Sequence, residues 1–179
     1  DVAASGGYWL ACAADEIFAS KASIIGSIGV VSSGFGFDKA IDKIGIDRRL
    51  YTSGENKAIL DPFLPENKED VKRLKDIQKE LHNQFISFVK SRRGSKIANK
   101  DKDLFTGAFW SGEKSLDLGL IDAFGEMKLT LKERFGEDVK IKEFAPKKKL
   151  FGFGSLFSGA LDILIYKIEE RISFKRFGL

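Results

Sequence analysis

The sequence predicts an α/β domain. Three observations carry that prediction: short apolar runs at 17–20 and 25–31 that suit buried strands, a long amphipathic helical pattern at 68–93, and the alternation of the two patterns along the chain. At 179 residues there is room for one domain with a sizeable core.

The opening Asp1-Val2-Ala3-Ala4-Ser5-Gly6-Gly7-Tyr8-Trp9-Leu10 reads as a strand ending in a sharp turn, with a helix starting at the serine hydroxyl. Residues 37–44 form a short helix stopped by Gly45, and 46–52 the next strand. Both prolines of Asp61-Pro62-Phe63-Leu64-Pro65 fix φ and exclude helix, which makes this a rigid loop. The helix over 68–93 puts Val71, Leu74, Ile77, Leu81, Phe85 and Phe88 on one stripe and is closed by Gly94. Its Lys and Glu residues form a solvated face, and Ile86 and Val89 are a second apolar set able to serve a contact between protomers. Residues 111–118 form a helix capped by Gly119, and 129–135 form another. Residues 139–144 are expected as an edge strand whose alternating lysines oppose edge-to-edge pairing.

The net charge of +4 sits in the tail. Residues 146–179 carry Lys147, Lys148, Lys149, Lys167, Arg171, Lys175 and Arg176 against Asp162, Glu169 and Glu170, so the preceding residues balance. The chain thus divides into a body, 1–145, and a basic amphipathic tail, 146–179. A neutral body argues against nucleic acid as a partner. In the tail Phe157, Leu161, Leu164, Ile168 and Ile172 recur at helical spacing, which suits an anionic membrane surface or packing on the domain or a sister protomer. The single cysteine, Cys12, excludes an internal disulfide and reads as a small core residue. No Cys/His cluster has metal spacing, so neither metal nor cofactor is expected. No run reaches the roughly 20 apolar residues of a spanning helix.

Ser5 is the candidate for chemistry. As a bare pattern it reads most simply as an N-cap, since serine is a preferred cap. The glycines after it also suit a nucleophile: without Cβ atoms they leave room for a substrate backbone, and the first N–H groups of the helix face any negative charge forming beside the hydroxyl. The one histidine, His82, lies on a charged helix face and reads as a solvated residue rather than a base. The other partner known for a hydroxyl nucleophile is a lysine held neutral by burial. Most lysines here lie in charge-rich helical runs. Lys57 follows Arg48-Arg49-Leu50-Tyr51-Thr52-Ser53-Gly54-Glu55-Asn56 and precedes Ala58-Ile59-Leu60, a strand-to-loop junction among apolar neighbours. By position it is either the base or a loop lysine.

These segments carry a family resemblance. Ala3-Ala4-Ser5-Gly6-Gly7-Tyr8, Ile25-Gly26-Ser27-Ile28-Gly29-Val30, Ser53-Gly54-Glu55-Asn56-Lys57 and Gly107-Ala108-Phe109-Trp110-Ser111-Gly112, in that order, resemble the signal-peptide-peptidase (SppA/SohB) family of membrane-associated serine peptidases. The resemblance implies a crotonase/ClpP-like fold with Ser5 as nucleophile and Lys57 as general base. It also assigns Ser27 to orienting the lysine and the Gly6 N–H to the oxyanion hole. It further implies peptide substrates such as signal-peptide remnants, a ring or dome of identical protomers, and a soluble domain associated with the bacterial inner membrane. In the family a strand and glycine-rich loop upstream of the serine give the second oxyanion donor. With four residues before Ser5 and no initial methionine, the chain is expected to lack that N-terminal part, cut away or supplied by another polypeptide. Two rivals stand beside this reading: a catalytically inactive crotonase-like scaffold, and a ClpP-type protease, for which His82 is poorly placed.

Overall fold

The computed structural model describes residues 1–97, 102–142 and 144. Asp1–Val139 form one unit and Lys140–Leu179 a second. The basic tail lies outside the described residues.

The short apolar strands pair into two small sheets. Strand β1 (Val2–Ala4) runs parallel to β3 (Ile24–Gly26) in the register Val2↔Ile24 and Ala4↔Gly26. Strand β4 (Phe109–Ser111) closes the other side of β3, antiparallel, with Ile25 opposite Trp110. A second, two-stranded sheet pairs β2 (Phe18–Ala19) with β5 (Ala123–Phe124) in parallel. Helices are interspersed among the strands: α1 (Gly6–Ala11), α2 (Asp38–Lys43), α3 (Lys68–Arg93), α4 (Gly112–Asp117) and α5 (Met127–Phe135). The predicted α/β class is what forms.

Helix α3 has the predicted bounds for local reasons. The Asn67 side chain accepts the Glu69 N–H at 2.8 Å, acids occupy the first turn, and Lys90, Arg92 and Arg93 occupy the last. Its buried face differs from the predicted stripe. Phe85, Val89 and Arg93, one helical turn apart, face the core, whereas Ile77 and Leu81 are exposed because the core extends only under the C-terminal half. Val89 is fully buried and Ile86 packs on the core, so neither is a free contact surface in this unit. Tyr8, Cys12, Ile25, Ile28, Leu104, Leu120 and Ile121 belong to the same buried cluster.

A charged network ties the end of α3 to β2. Buried Arg93 donates through Nε to Gly119 O at 2.9 Å and through Nη1 to Asp122 at 2.7 Å. Asp122 also accepts from Lys96 at 2.6 Å and from the Ile17 N–H at 2.8 Å. Burial alone would raise this carboxyl, but the three donors outweigh it and hold Asp122 well below the usual carboxylate range.

Three expected strands are corrected. Residues 46–52 form no strand: Ile46 N–H returns to Ile41 O, Arg48 reaches out to Asp61, and Ile46, Leu50 and Tyr51 stay exposed with no sheet edge beside them. The strand expected over 25–31 stops at Gly26, because Ser27 turns away with φ 52°. The described residues of 139–144 do not pair either; Val139 N–H closes a turn onto Gly136 O.

Candidate active site

Strand β1 stops and α1 starts at one residue, Ser5, whose φ of 53° and ψ of −125° lie outside the regions open to side chains without strain. The conformation is held from both sides. Ser5 N–H donates to Gly26 O at 2.8 Å, and Ser5 C=O accepts Tyr8 N–H and Trp9 N–H at 3.0 Å each. The hydroxyl makes no cap hydrogen bond, which removes the simple N-cap reading, and the residue is exposed. A Cβ built on Gly6 or Gly7 meets nothing within 4 Å, so the approach to the hydroxyl along the first turn is open. The result is a strained strand-to-helix elbow presenting a hydroxyl without a hydrogen-bond partner among the described residues, beside the first N–H groups of the helix, a geometry suited to acyl transfer.

The residues behind the elbow anchor it. Tyr8 is fully buried, donates its hydroxyl to Leu120 O at 2.8 Å, and burial pushes that hydroxyl far up. Cys12 is buried too, and its thiol is raised chiefly by desolvation, so it is a core residue as expected. Trp9 stacks on Phe85 with ring centroids 4.5 Å apart.

Ser27 lies next to Ser5 through the sheet. Gly26, at φ 104°, accepts from Ser5, and a Cβ there would fall 2.8 Å from the Trp110 ring. Ser27 itself is held at φ 52° by donation of its N–H to Ala108 O at 2.7 Å. Ser5, Gly6 and Ser27 are therefore brought together by the β1–β3 pairing.

Lys57 is not brought to them. It lies in a turn rather than at a strand end, after Gly54 at φ 105°, with its N–H 3.3 Å from Gly54 O. Its side chain is exposed instead of inward, since no strand precedes it to aim it, and no hydrogen bond joins it to Ser5 or Ser27. A cleft of about 730 Å³ runs between the 32–38 and 58–67 loops and the start of α3 and is lined by none of the four predicted residues.

Two contacts escaped the sequence. Arg92 donates to the carbonyls of Cys12, Ala13 and Ala14 at 2.9, 3.0 and 3.1 Å, closing the C-terminal end of α1. His82, expected in solvent, is half-buried with Nε2 3.1 Å from Ile28 O. The basic last turn of α3 signals helix capping in general, but no pattern names a carbonyl 80 residues away.

The family model for peptidase family S49 matches residues 1–142. The chain belongs to peptidase family S49. Among S49 relatives, it is 29% identical to a putative signal peptide peptidase SppA of Enterococcus faecium, over 89% of this chain and 46% of that protein. It is 38% identical to a probable protease SohB of Buchnera aphidicola, over 69% of this chain and 36% of that protein. A Brucella abortus protein named Na(+)/H(+) antiporter NhaA is 46% identical over all of this chain but 26% of its own length. The stretch it shares contains the S49 match, and the antiporter name stays with that protein. The chain thus spans less than half the length of these relatives. No described helix of this S49 chain is long and apolar enough to cross a membrane.

Proposed function

We propose that this chain carries the nucleophile of a serine endopeptidase, within a crotonase/ClpP-like domain, using a Ser/Lys dyad. The observation that carries the reading is the Ser5 elbow: a strained backbone, a hydroxyl excused from capping, and open space over Gly6 and Gly7. In the reaction Lys57, as a neutral amine, takes the Ser5 proton while Oγ attacks the scissile carbonyl. The Gly6 N–H receives the developing oxyanion. The lysine then returns the proton to the leaving amine, and water hydrolyses the acyl-enzyme. Ser27 hydrogen-bonds the lysine and directs it at Ser5.

Exposure of Lys57 gives the dyad a particular form. A lysine acts as base only where desolvation favours the neutral amine, and an interface can supply that desolvation. In the stretch leading to Lys57 the chain leaves large apolar side chains outward: Phe35 81%, Ile44 69%, Ile46 54% and Tyr51 90% exposed. Such a surface suits a neighbouring protomer, so the lysine of one subunit serves the serine of the next in a closed ring or dome. Substrates are extended peptides, with signal-peptide remnants the class suggested by the relative named for it. Association with the bacterial inner membrane through the basic tail belongs to the same proposal.

The test uses the full-length protein. Ser5→Ala and Lys57→Ala each abolish hydrolysis of an unfolded peptide, and the double variant is hardly worse, since the residues act as one unit. Mixing the two single variants restores activity if the dyad forms between protomers. Substantial turnover by Lys57→Ala refutes the dyad. A fully inactive wild type that still binds peptide favours the scaffold alternative, for which the exposed lysine is the supporting observation.

A further inference from the structure

The loop after β3 must hold Ser27 in a backbone conformation that non-glycine residues avoid, and a left-handed serine persists only where its surroundings over-determine it. On one flank, Ser27 N–H is fixed by Ala108 O at 2.7 Å. On the other flank the next carbonyl, that of Ile28, meets His82 Nε2 at 3.1 Å. A carbonyl only accepts, so His82 must carry its proton on Nε2. Ile28 itself is fully buried, which leaves its carbonyl little water to exchange for the imidazole.

The same helix grips the other serine. One turn after His82, Phe85 stacks on Trp9 of α1, and further along Arg92 takes the three carbonyls at the end of α1. A single element therefore references both the Ser5 elbow and the Ser27 turn. We infer that His82 is a positioning residue of the peptidase site: by donating to Ile28 O it fixes the Ser27 turn, and so the direction in which Ser27 offers its hydroxyl to the general base. The inference rests on the Ser/Lys reading above. His82 touches no reacting atom. It acts through the Ile28 peptide.

Three variants in the full-length protein separate this role from plain packing. His82→Ala and His82→Phe both lose the donor, the second while keeping a ring, whereas His82→Gln puts an amide N–H near the place of Nε2. The expected result is a fall in kcat of about tenfold for Ala and Phe, set by the loss of one buried hydrogen bond, with KM unchanged. Labelling of Ser5 by a fluorophosphonate slows by the same factor. His82→Gln returns kcat to within about threefold of wild type. An ¹⁵N spectrum of the imidazole, assigned by its loss in His82→Ala, gives the Nε2–H tautomer with a slowly exchanging ring proton.

Equal kcat in wild type and His82→Ala overturns the role, as does failure of Gln to rescue while the variant melts like wild type. An Nδ1–H tautomer overturns the tether itself, whatever the activity. A wild type that neither cleaves peptide nor takes the label at Ser5 overturns the peptidase reading, and with it this role, while the tautomer still reports the contact.

Discussion

Replacing Ser5 by glycine should make this protein more stable while destroying its activity. The φ/ψ pair of 53° and −125° is one that glycine adopts freely and a residue with Cβ does not. Strain of this kind is about 1–3 kcal/mol, and glycine gives back about 0.5–1 kcal/mol through the larger entropy of its unfolded chain. The net expectation is a gain of about 1 kcal/mol, or about 2–4 °C in melting temperature for a chain of this size. Ser5→Ala keeps the Cβ and loses only a hydroxyl that caps nothing, so it should change stability by less than about 0.5 kcal/mol. Ser111 is the internal control: its Oγ accepts Lys114 N–H at 3.2 Å at the start of α4, and Ser111→Ala should cost about 1 kcal/mol. Urea denaturation followed by far-ultraviolet circular dichroism measures all three. If Ser5→Ala costs as much as Ser111→Ala, or Ser5→Gly is destabilised, then the hydroxyl is a cap, the elbow is not strained, and the argument for a poised nucleophile fails.

Other outcomes follow from the same contacts. Asp122→Ala leaves the buried Arg93 guanidinium without its counter-charge and should cost about 3–5 kcal/mol in urea titrations. Because the folded Asp122 carboxyl lies below its unfolded value, its contribution is complete above the unfolded pKa of about 3.9 and is lost as pH falls through the folded value. The stability gap between wild type and Asp122→Asn should therefore be flat at neutral pH and shrink in acid. Gly26→Ala drives a Cβ into the Trp110 ring and strains φ 104°; about 2–3 kcal/mol of lost stability, with slowed Ser5 labelling, is the outcome to look for. Arg92→Met, which keeps the stem but none of the donors to α1, should lower fluorophosphonate labelling of Ser5 more than it lowers the melting temperature of the whole domain.

The features legible in the sequence are those that local chemistry decides. The bounds of α3 follow from Asn67, the acidic first turn and Gly94, and the elbow follows from a strand pattern running into Ser5-Gly6-Gly7. β4 and β5 are three and two residues long, too short to show an alternating pattern, and exist because β3 and β2 offer them an edge. The strand expected at 46–52 has the right residue types but nothing to pair with, which shows how far strand propensity depends on a neighbour. For the site, proximity of Ser5, Gly6 and Ser27 comes with the β1–β3 register. Lys57 stands out in the sequence by its position and by the family resemblance; its distance from the serines is a matter of tertiary placement, on which spacing along the chain is silent. His82 illustrates the converse: its charged sequence neighbours suggested solvent, and the deciding contact is a backbone carbonyl from a distant loop.

The helix that begins at Ser5 is six residues long, well short of the roughly 12–15 that an isolated helix needs to persist in water. It survives because Arg92 seals its far end and Phe85 covers Trp9, both from α3. Its opening is therefore not an independent event. Fluctuations that would relax the elbow must first loosen the C-terminal half of the longest helix in the domain, so the two belong to one cooperative opening unit. The amides of α1 should then exchange with solvent as slowly as those of residues 85–93, and a substance that frays the end of α3 would disarm the serine from a distance without ever touching it.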